Sequence, residues 1–197
     1  MFLKLLVASL LLLSLGGCGA SKYSIPSQKV QKDIITNKEM SYMIFGVEEI
    51  SISRAEPIFE YFPETETFRL VTIMGSHQKY IYEMPEGVHY FYSMGGETYD
   101  FLKVEAQKGK KYYTSIDTVF WTFRMTTPIV FNPTTDPDLI EDINKKTLVE
   151  NSKRSQLWYE KRKNNQEFKA AVKERFLEWK EDDMKEKTLN KEDGFKI

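Results

Sequence analysis

The stretch KYIYEMPEGVHYFYSM, Lys79–Met94, decides how this chain is read. Two runs of aromatic and β-branched residues flank Pro85-Glu86-Gly87. Such runs are the composition of strands. Proline presets φ at the first central position of a turn, and a glycine after it can take positive φ. A second pair of runs follows, YDFLKVEA (Tyr99–Ala106) and KYYTSI (Lys111–Ile116), around Gln107-Lys108-Gly109-Lys110. Both pairs are expected to be hairpins whose turns fix the register. In the second, Leu102, Val104 and Ala106 share one face and read as core, with Lys103 and Glu105 opposite.

The pattern extends upstream. YMIFGVEEISI (Tyr42–Ile52) and TFRLVTIM (Thr67–Met74) have the same character. Residues 41–131 are therefore predicted to form a small antiparallel β-sandwich, and the fold class is mainly β with C-terminal α-helices. Downstream the composition shifts from aromatic to charged. Asp136 can cap a helix whose first position is Pro137. Ile140, Ile143 and Leu148 follow one helical face, and a longer helix is expected from Lys153 to Met184. Phe168, Val172, Phe176 and Trp179 step by four, four and three along it, a single apolar stripe. The helical segment is set at 132–184, and residues 185–197 are expected to be a disordered tail.

The N-terminus has a different logic. Met1-Phe2-Leu3-Lys4 precedes an apolar run from Leu5 to Leu15. That run is too short for a comfortable transmembrane helix, which needs about 20 residues. It fits the core of a secretory signal over residues 1–17. Leu15-Gly16-Gly17-Cys18 resembles the lipobox of bacterial lipoprotein precursors, and Cys18 is the chain's only cysteine. The resemblance implies cleavage before Cys18 and diacylation of its thiol, which makes Cys18 a lipid anchor. Each buried methylene contributes about 0.8 kcal/mol, so two or three chains on one residue hold firmly. The plain alternative is an ordinary signal peptide cut before a small residue. Gly19 stands where an Asp typically retains Gram-negative lipoproteins in the inner membrane. The resemblance thus implies a cell-envelope protein, with the outer membrane favoured. Residues 18–40 read as a flexible tether with a reach of about 25 Å.

Tyr80–Ile116 is similar to small β-sandwich domains of bacterial envelope proteins. These include a lipoprotein family known only as a domain of unknown function, and PEGA-type domains share the Pro-x-Gly turn. The resemblance implies a fold and carries no catalytic residues. Glu86 departs from it, since that family often has a second proline there.

Composition excludes more than it assigns. Without residues 1–17 the chain keeps 27 basic residues, having lost Lys4, against 29 acidic ones. A net charge of −2 gives no reason to expect nucleic acid or anionic lipid as a partner. With no second cysteine there is no disulfide. The two histidines, His77 and His89, are too few for a zinc site without several carboxylates. They read as exposed or hydrogen-bonded structural residues. Ser76-His77 with Asp100 lacks the elbow of a catalytic triad, and adjacent strand residues point to opposite faces. No phosphate-binding glycine loop is present. No catalytic residue, metal or cofactor is assigned.

Two aromatic features stay open between core and interface. Tyr80 and Tyr82 are expected beside Tyr90 and Tyr92 on one sheet face. They would serve either as cross-strand packing or as a face for a glycan or an envelope protein. The stripe Phe168, Val172, Phe176 and Trp179 would dock on the sandwich or on a partner. The expected function is a membrane-anchored envelope lipoprotein acting as a non-catalytic binding or structural module. The alternative is an envelope hydrolase or glycan-modifying enzyme with a carboxylate-based site.

Overall fold

A computed structural model describes residues 22–48, 55–95, 98–118, 129–182 and 184–197. The expected signal segment of residues 1–17 and Cys18 lie outside the described residues. The strands are β1 (Ser24–Pro26), β2 (Ser41–Val47), β3 (Glu56–Phe62), β4 (Thr67–Met74), β5 (Gln78–Met84) and β6 (Gly87–Gly95). They continue with β7 (Thr98–Ala106), β8 (Lys110–Thr118), β9 (Ile129–Thr134), β10 (Thr147–Asn151), β11 (Thr188–Leu189) and β12 (Phe195–Lys196). The helices are α1 (Gln31–Ile34), α2 (Pro137–Lys145), α3 (Lys153–Glu160) and α4 (Gln166–Asp182).

The strands form two sheets, and the fold is mainly β, as expected. One sheet runs β1-β10-β5-β2-β8-β12, with β9 also paired to β8; the other runs β11-β7-β6-β3-β4. The sheets are mixed where a purely antiparallel sandwich was expected. β2 and β8 pair in parallel, as do β10 with β5 and β11 with β7.

The two turns that read as hairpins are crossings. β5 belongs to the seven-stranded sheet and β6 to the five-stranded one, so Pro85-Glu86 carries the chain across the sandwich. The turn at Gln107-Lys108-Gly109 does the same between β7 and β8. Turn chemistry specifies a tight reversal, and both glycines do take positive φ, 141° at Gly87 and 70° at Gly109. It does not specify whether the reversed strand hydrogen-bonds back or packs face to face. The hairpin with a described turn is β3–β4, and β6 and β7 also pair antiparallel.

Three apolar layers result. Between the sheets lie Met43, Phe45, Ile58, Phe91, Leu102, Val104, Tyr112, Ile116 and Phe131. Leu102, Val104 and Ala106 are fully buried, as predicted. On the outer face of the five-stranded sheet, α3 and α4 cover Phe59, Tyr61, Phe68, Tyr92 and Phe101. On the outer face of the other sheet, Ile143 of α2 packs with Tyr42, Ile44, Ile81 and Tyr113. Covered on both faces, β2 is buried at all seven positions, which explains why it reads as an apolar run instead of an alternation. Gly46 makes this covering possible. A Cβ there would come within 2.8 Å of the Ile143 side chain.

Asp136 caps α2 by accepting the Asp138 N–H at 2.9 Å, with Pro137 in the first turn. The long helix expected from Lys153 to Met184 is two helices, because the Asn165 side chain caps a fresh start by accepting the Phe168 N–H. Two further readings are corrected. Residues 185–197 are not a disordered tail. β11 pairs with β7 and β12 with β8, burying Leu189 and packing Phe195 and Ile197 on Tyr113. Their charged neighbours masked these three apolar residues. The tether of residues 18–40 is likewise shortened. Ser24–Pro26 already pairs with β10, and Ser24 donates to Gln78 at 2.7 Å. The composition shift after Phe131 is not a domain boundary, since β10 inserts beside β5 in the same sheet.

Candidate functional site

One end of the sandwich holds a buried charge network built from both sheets. Its centre is Glu60, on the inward face of β3 one turn of the pleat from Ile58 and almost wholly buried. Cross-strand pairing sets Glu60 opposite Arg69 of β4. β6 contributes His89, two residues from the core residue Phe91 on the same face, and β5 contributes Tyr82 from the opposite sheet.

Both carboxylate oxygens of Glu60, both ring nitrogens of His89 and the Tyr82 hydroxyl are engaged. Glu60 Oε1 accepts from His89 Nδ1 at 2.6 Å. Glu60 Oε2 accepts from Tyr82 Oη at 2.6 Å and from Arg69 Nη2 at 2.5 Å. Arg69 also bonds Tyr82 Oη. The second histidine nitrogen, Nε2, meets the Pro85 carbonyl at 2.9 Å. A carbonyl only accepts, so Nε2 carries a proton. Burial pushes the Glu60 carboxyl up, but the hydrogen bonds from His89, Tyr82 and Arg69 outweigh it and hold the group below the usual carboxylate range. Tyr82 is pushed well up, by burial first and then by the Glu60 carboxylate. The Arg69 guanidinium stacks between the rings of Phe62 and Tyr82, 5.6 and 5.4 Å from their centroids.

A cleft of about 310 Å³ opens beside this network, between Phe62-Pro63-Glu64 and Val88-His89-Tyr90. His89 is thus a hydrogen-bonded structural histidine, in line with the reading of the sequence. His77 takes positive φ in the turn before β5, where its backbone bonds Val47 and Thr147. Glu60 and Arg69 were missed. A signal existed, because Glu60 occupies an inward position between Ile58 and Phe62 in EPIFEYF, where solvent-facing charge is out of place.

Two other carboxylate corners exist. Asp100 accepts the Phe131 N–H at 2.6 Å and lies 3.3 Å from Lys187 Nζ, which also donates to the Phe131 carbonyl at 2.5 Å. Burial raises the Asp100 carboxyl, despite the opposing pull of Lys187. At the other corner Lys146 pairs with Glu48 at 2.8 Å beside a cleft of about 330 Å³ that also holds His77 and Asp142. Asp117, raised by burial and then by Glu48, bonds Asn132 nearby. Asp100 is engaged by Lys187, not by His77. Among the described residues no group of three or more His, Cys, Asp or Glu could hold a metal ion.

The expected aromatic face is split. Tyr80 and Tyr82 point into the layer between the sheets, whereas Tyr90 and Tyr92 point outward under the helices. The crossing at Pro85-Glu86 separates the two pairs. Tyr92 is fully buried and stacks on Phe59 at 4.8 Å. The stripe of α4 is also occupied by the chain itself. Phe176 meets Tyr61 and Tyr90 at 4.9 and 5.1 Å, Trp179 meets Phe101 at 5.5 Å, Phe168 meets Phe68 at 5.1 Å, and Val172 is fully buried. Neither set is a free partner-binding face, because a sheet covered on both sides spends its outward aromatics on its own helices.

The fold and this site define a two-sheet sandwich with helices on both outer faces and an internally neutralised charge cluster at one end. Compared with known protein families, with curated proteins and with solved structures, the chain matches none.

Proposed function

We propose that this chain is a cell-envelope lipoprotein, held to the membrane by acyl chains on Cys18, whose folded body is a non-catalytic binding or structural module. The observation that carries this reading is Leu15-Gly16-Gly17-Cys18 directly after an apolar signal core. No described helix is long and apolar enough to cross a membrane. With Gly19 after the cysteine, the periplasmic side of the outer membrane is the proposed site in a Gram-negative cell. The non-catalytic reading is supported by the saturation of Glu60 and His89. A general base needs a nitrogen or oxygen free to reach substrate, and theirs are bonded to Tyr82, Arg69, Pro85 and each other.

The test is fractionation of wild type and Cys18→Ala with lipid labelling. Wild type is expected in the membrane fraction with label on Cys18, and the variant without label. An unmodified thiol, or a mature N-terminus beyond residue 18, overturns the anchor. The alternative, a carboxylate-based hydrolase or glycan-modifying enzyme, has one observation in its favour: Asp117 is raised by burial and by Glu48, and Glu48 lines a cleft. Turnover of envelope glycan that Asp117→Asn abolishes would replace the non-catalytic reading.

A further inference from the structure

Helix α3 and the turn that follows it carry a concentration of positive charge that the overall balance conceals. Between residues 153 and 163 there are five basic side chains, Lys153, Arg154, Lys161, Arg162 and Lys163, and one acidic, Glu160. Lys163 neutralises Glu160 at 2.6 Å. Lys153, Leu157 and Lys161 step by four along one exposed face, and Leu157 is 54% exposed. The helix turns Trp158 and Tyr159 toward the five-stranded sheet, and Arg162 lies over the Trp158 ring at 4.2 Å, so the outward face presents Lys153 and Lys161 with Leu157 between them.

This helix is tied to the start of the fold. Ser152, its cap, donates its backbone N–H to the Tyr23 carbonyl at 2.9 Å and its hydroxyl to the Lys22 carbonyl at 3.1 Å. The Arg154 guanidinium lies over the Tyr23 ring at 5.3 Å. Lys22 is four residues from Cys18, and a chain of that length spans at most about 14 Å. Whatever surface holds an acylated Cys18 therefore lies within that reach of the cap of α3.

We propose that the outward face of α3 docks the anionic lipid headgroups of the bilayer that holds the Cys18 anchor. The proposal rests on the lipoprotein reading above. Cations beside an apolar residue are the composition of a surface that lies at the headgroup level. Each Lys or Arg near an anionic membrane raises the partition about fivefold. An anchor that already supplies the bilayer at high effective concentration makes even a weak contact populated. The acyl chains give attachment and α3 gives orientation, with the sandwich standing on the edge that carries β1 and β10.

The experiment uses the acylated full-length protein in neutral phosphatidylcholine vesicles and in phosphatidylglycerol-rich vesicles. Flotation reads attachment, and amine-reactive labelling followed by mass spectrometry reads contact. Lys108, in the turn before β8 and away from β1, is the exposed reference. Labelling of Lys153 and Lys161 relative to Lys108 is expected to fall about fivefold on the anionic vesicles at low salt and to recover at high salt. The paired reversal Lys161→Glu and Arg162→Glu is expected to restore labelling at Lys153 while flotation is unchanged. Equal labelling on both vesicle types, or protection that the reversal leaves intact, overturns the proposal. So does protection that requires an added envelope protein, which would assign the face to an acidic protein. A chain that floats with neither vesicle overturns both anchor and face. One that floats only with the anionic vesicles overturns the anchor and keeps the face.

Discussion

Glu60 and Asp100 are both carboxylates within the sandwich, yet their carboxyls are shifted in opposite directions. Glu60 is the more deeply buried, with its side chain 2% exposed against 15% for Asp100. Burial alone would raise Glu60 further. It is held low because hydrogen bonds from His89, Tyr82 and the Arg69 guanidinium converge on it. Asp100 has a backbone N–H at 2.6 Å and a lysine at the longer distance of 3.3 Å, and desolvation wins. The number and charge of the donors, not depth, decide whether a buried carboxylate stays comfortably ionised.

Isosteric amides test that difference most directly. Glu60→Gln replaces an oxygen that only accepts by an NH2 that only donates, against donors on every side. Breaking a buried pair from one partner costs about 3–5 kcal/mol, and a loss of this size in urea unfolding is expected. Asp100→Asn keeps one oxygen for the Phe131 N–H and removes a charge that burial disfavours. Its loss at neutral pH is expected to stay within about 1 kcal/mol. Equal losses in the two variants would break the comparison.

The pH dependence sharpens it. Glu60 has a folded value below the ordinary one of about 4.3, so its stabilisation is present above that value. It is lost as pH falls through the folded value. Wild type should therefore lose stability steeply in acid, and Glu60→Gln should flatten that limb. Asp100 has the opposite sign. Its folded value lies above the ordinary one of about 3.9, so the folded state binds more protons between the two and stability falls as pH rises across that window. Asp100→Asn should remove that smaller slope and leave the steep acid limb in place. Unfolding curves at a series of pH values check both signs. Lys187→Met is expected to have the smallest effect, about 1 kcal/mol, in the direction of raising Asp100 further.

The strands were legible because their composition is local. YDFLKVEA buries Leu102, Val104 and Ala106 as its alternation says, TFRLVTIM forms a strand that is buried on both faces from Leu70 to Met74, and Asp136-Pro137 starts a helix where caps and fixed φ demand one. The charge network was not legible. Glu60, Arg69, His89 and Tyr82 come from four strands of two sheets, and no spacing along the chain announces their meeting. Leu189, Phe195 and Ile197 were hidden for a related reason. Each is a lone apolar residue among charges, and its burial depends on strand edges more than 70 residues earlier.

The sequence by itself determined the strand content, the reversals at Pro85-Glu86-Gly87 and Gly109, and the apolar stripe of α4. Each is a matter of propensity, φ or motif acting over a few neighbouring residues. Only the tertiary structure decided that those reversals cross between sheets, and that this divides Tyr80 and Tyr82 from Tyr90 and Tyr92. It also decided that α4 spends its stripe on its own sheet and that α3 stands with its cations beside the first residues of the fold. Those outcomes turn on which distant surface each element covers. Burial rewards apolar area wherever in the chain it comes from, so no local pattern can specify it.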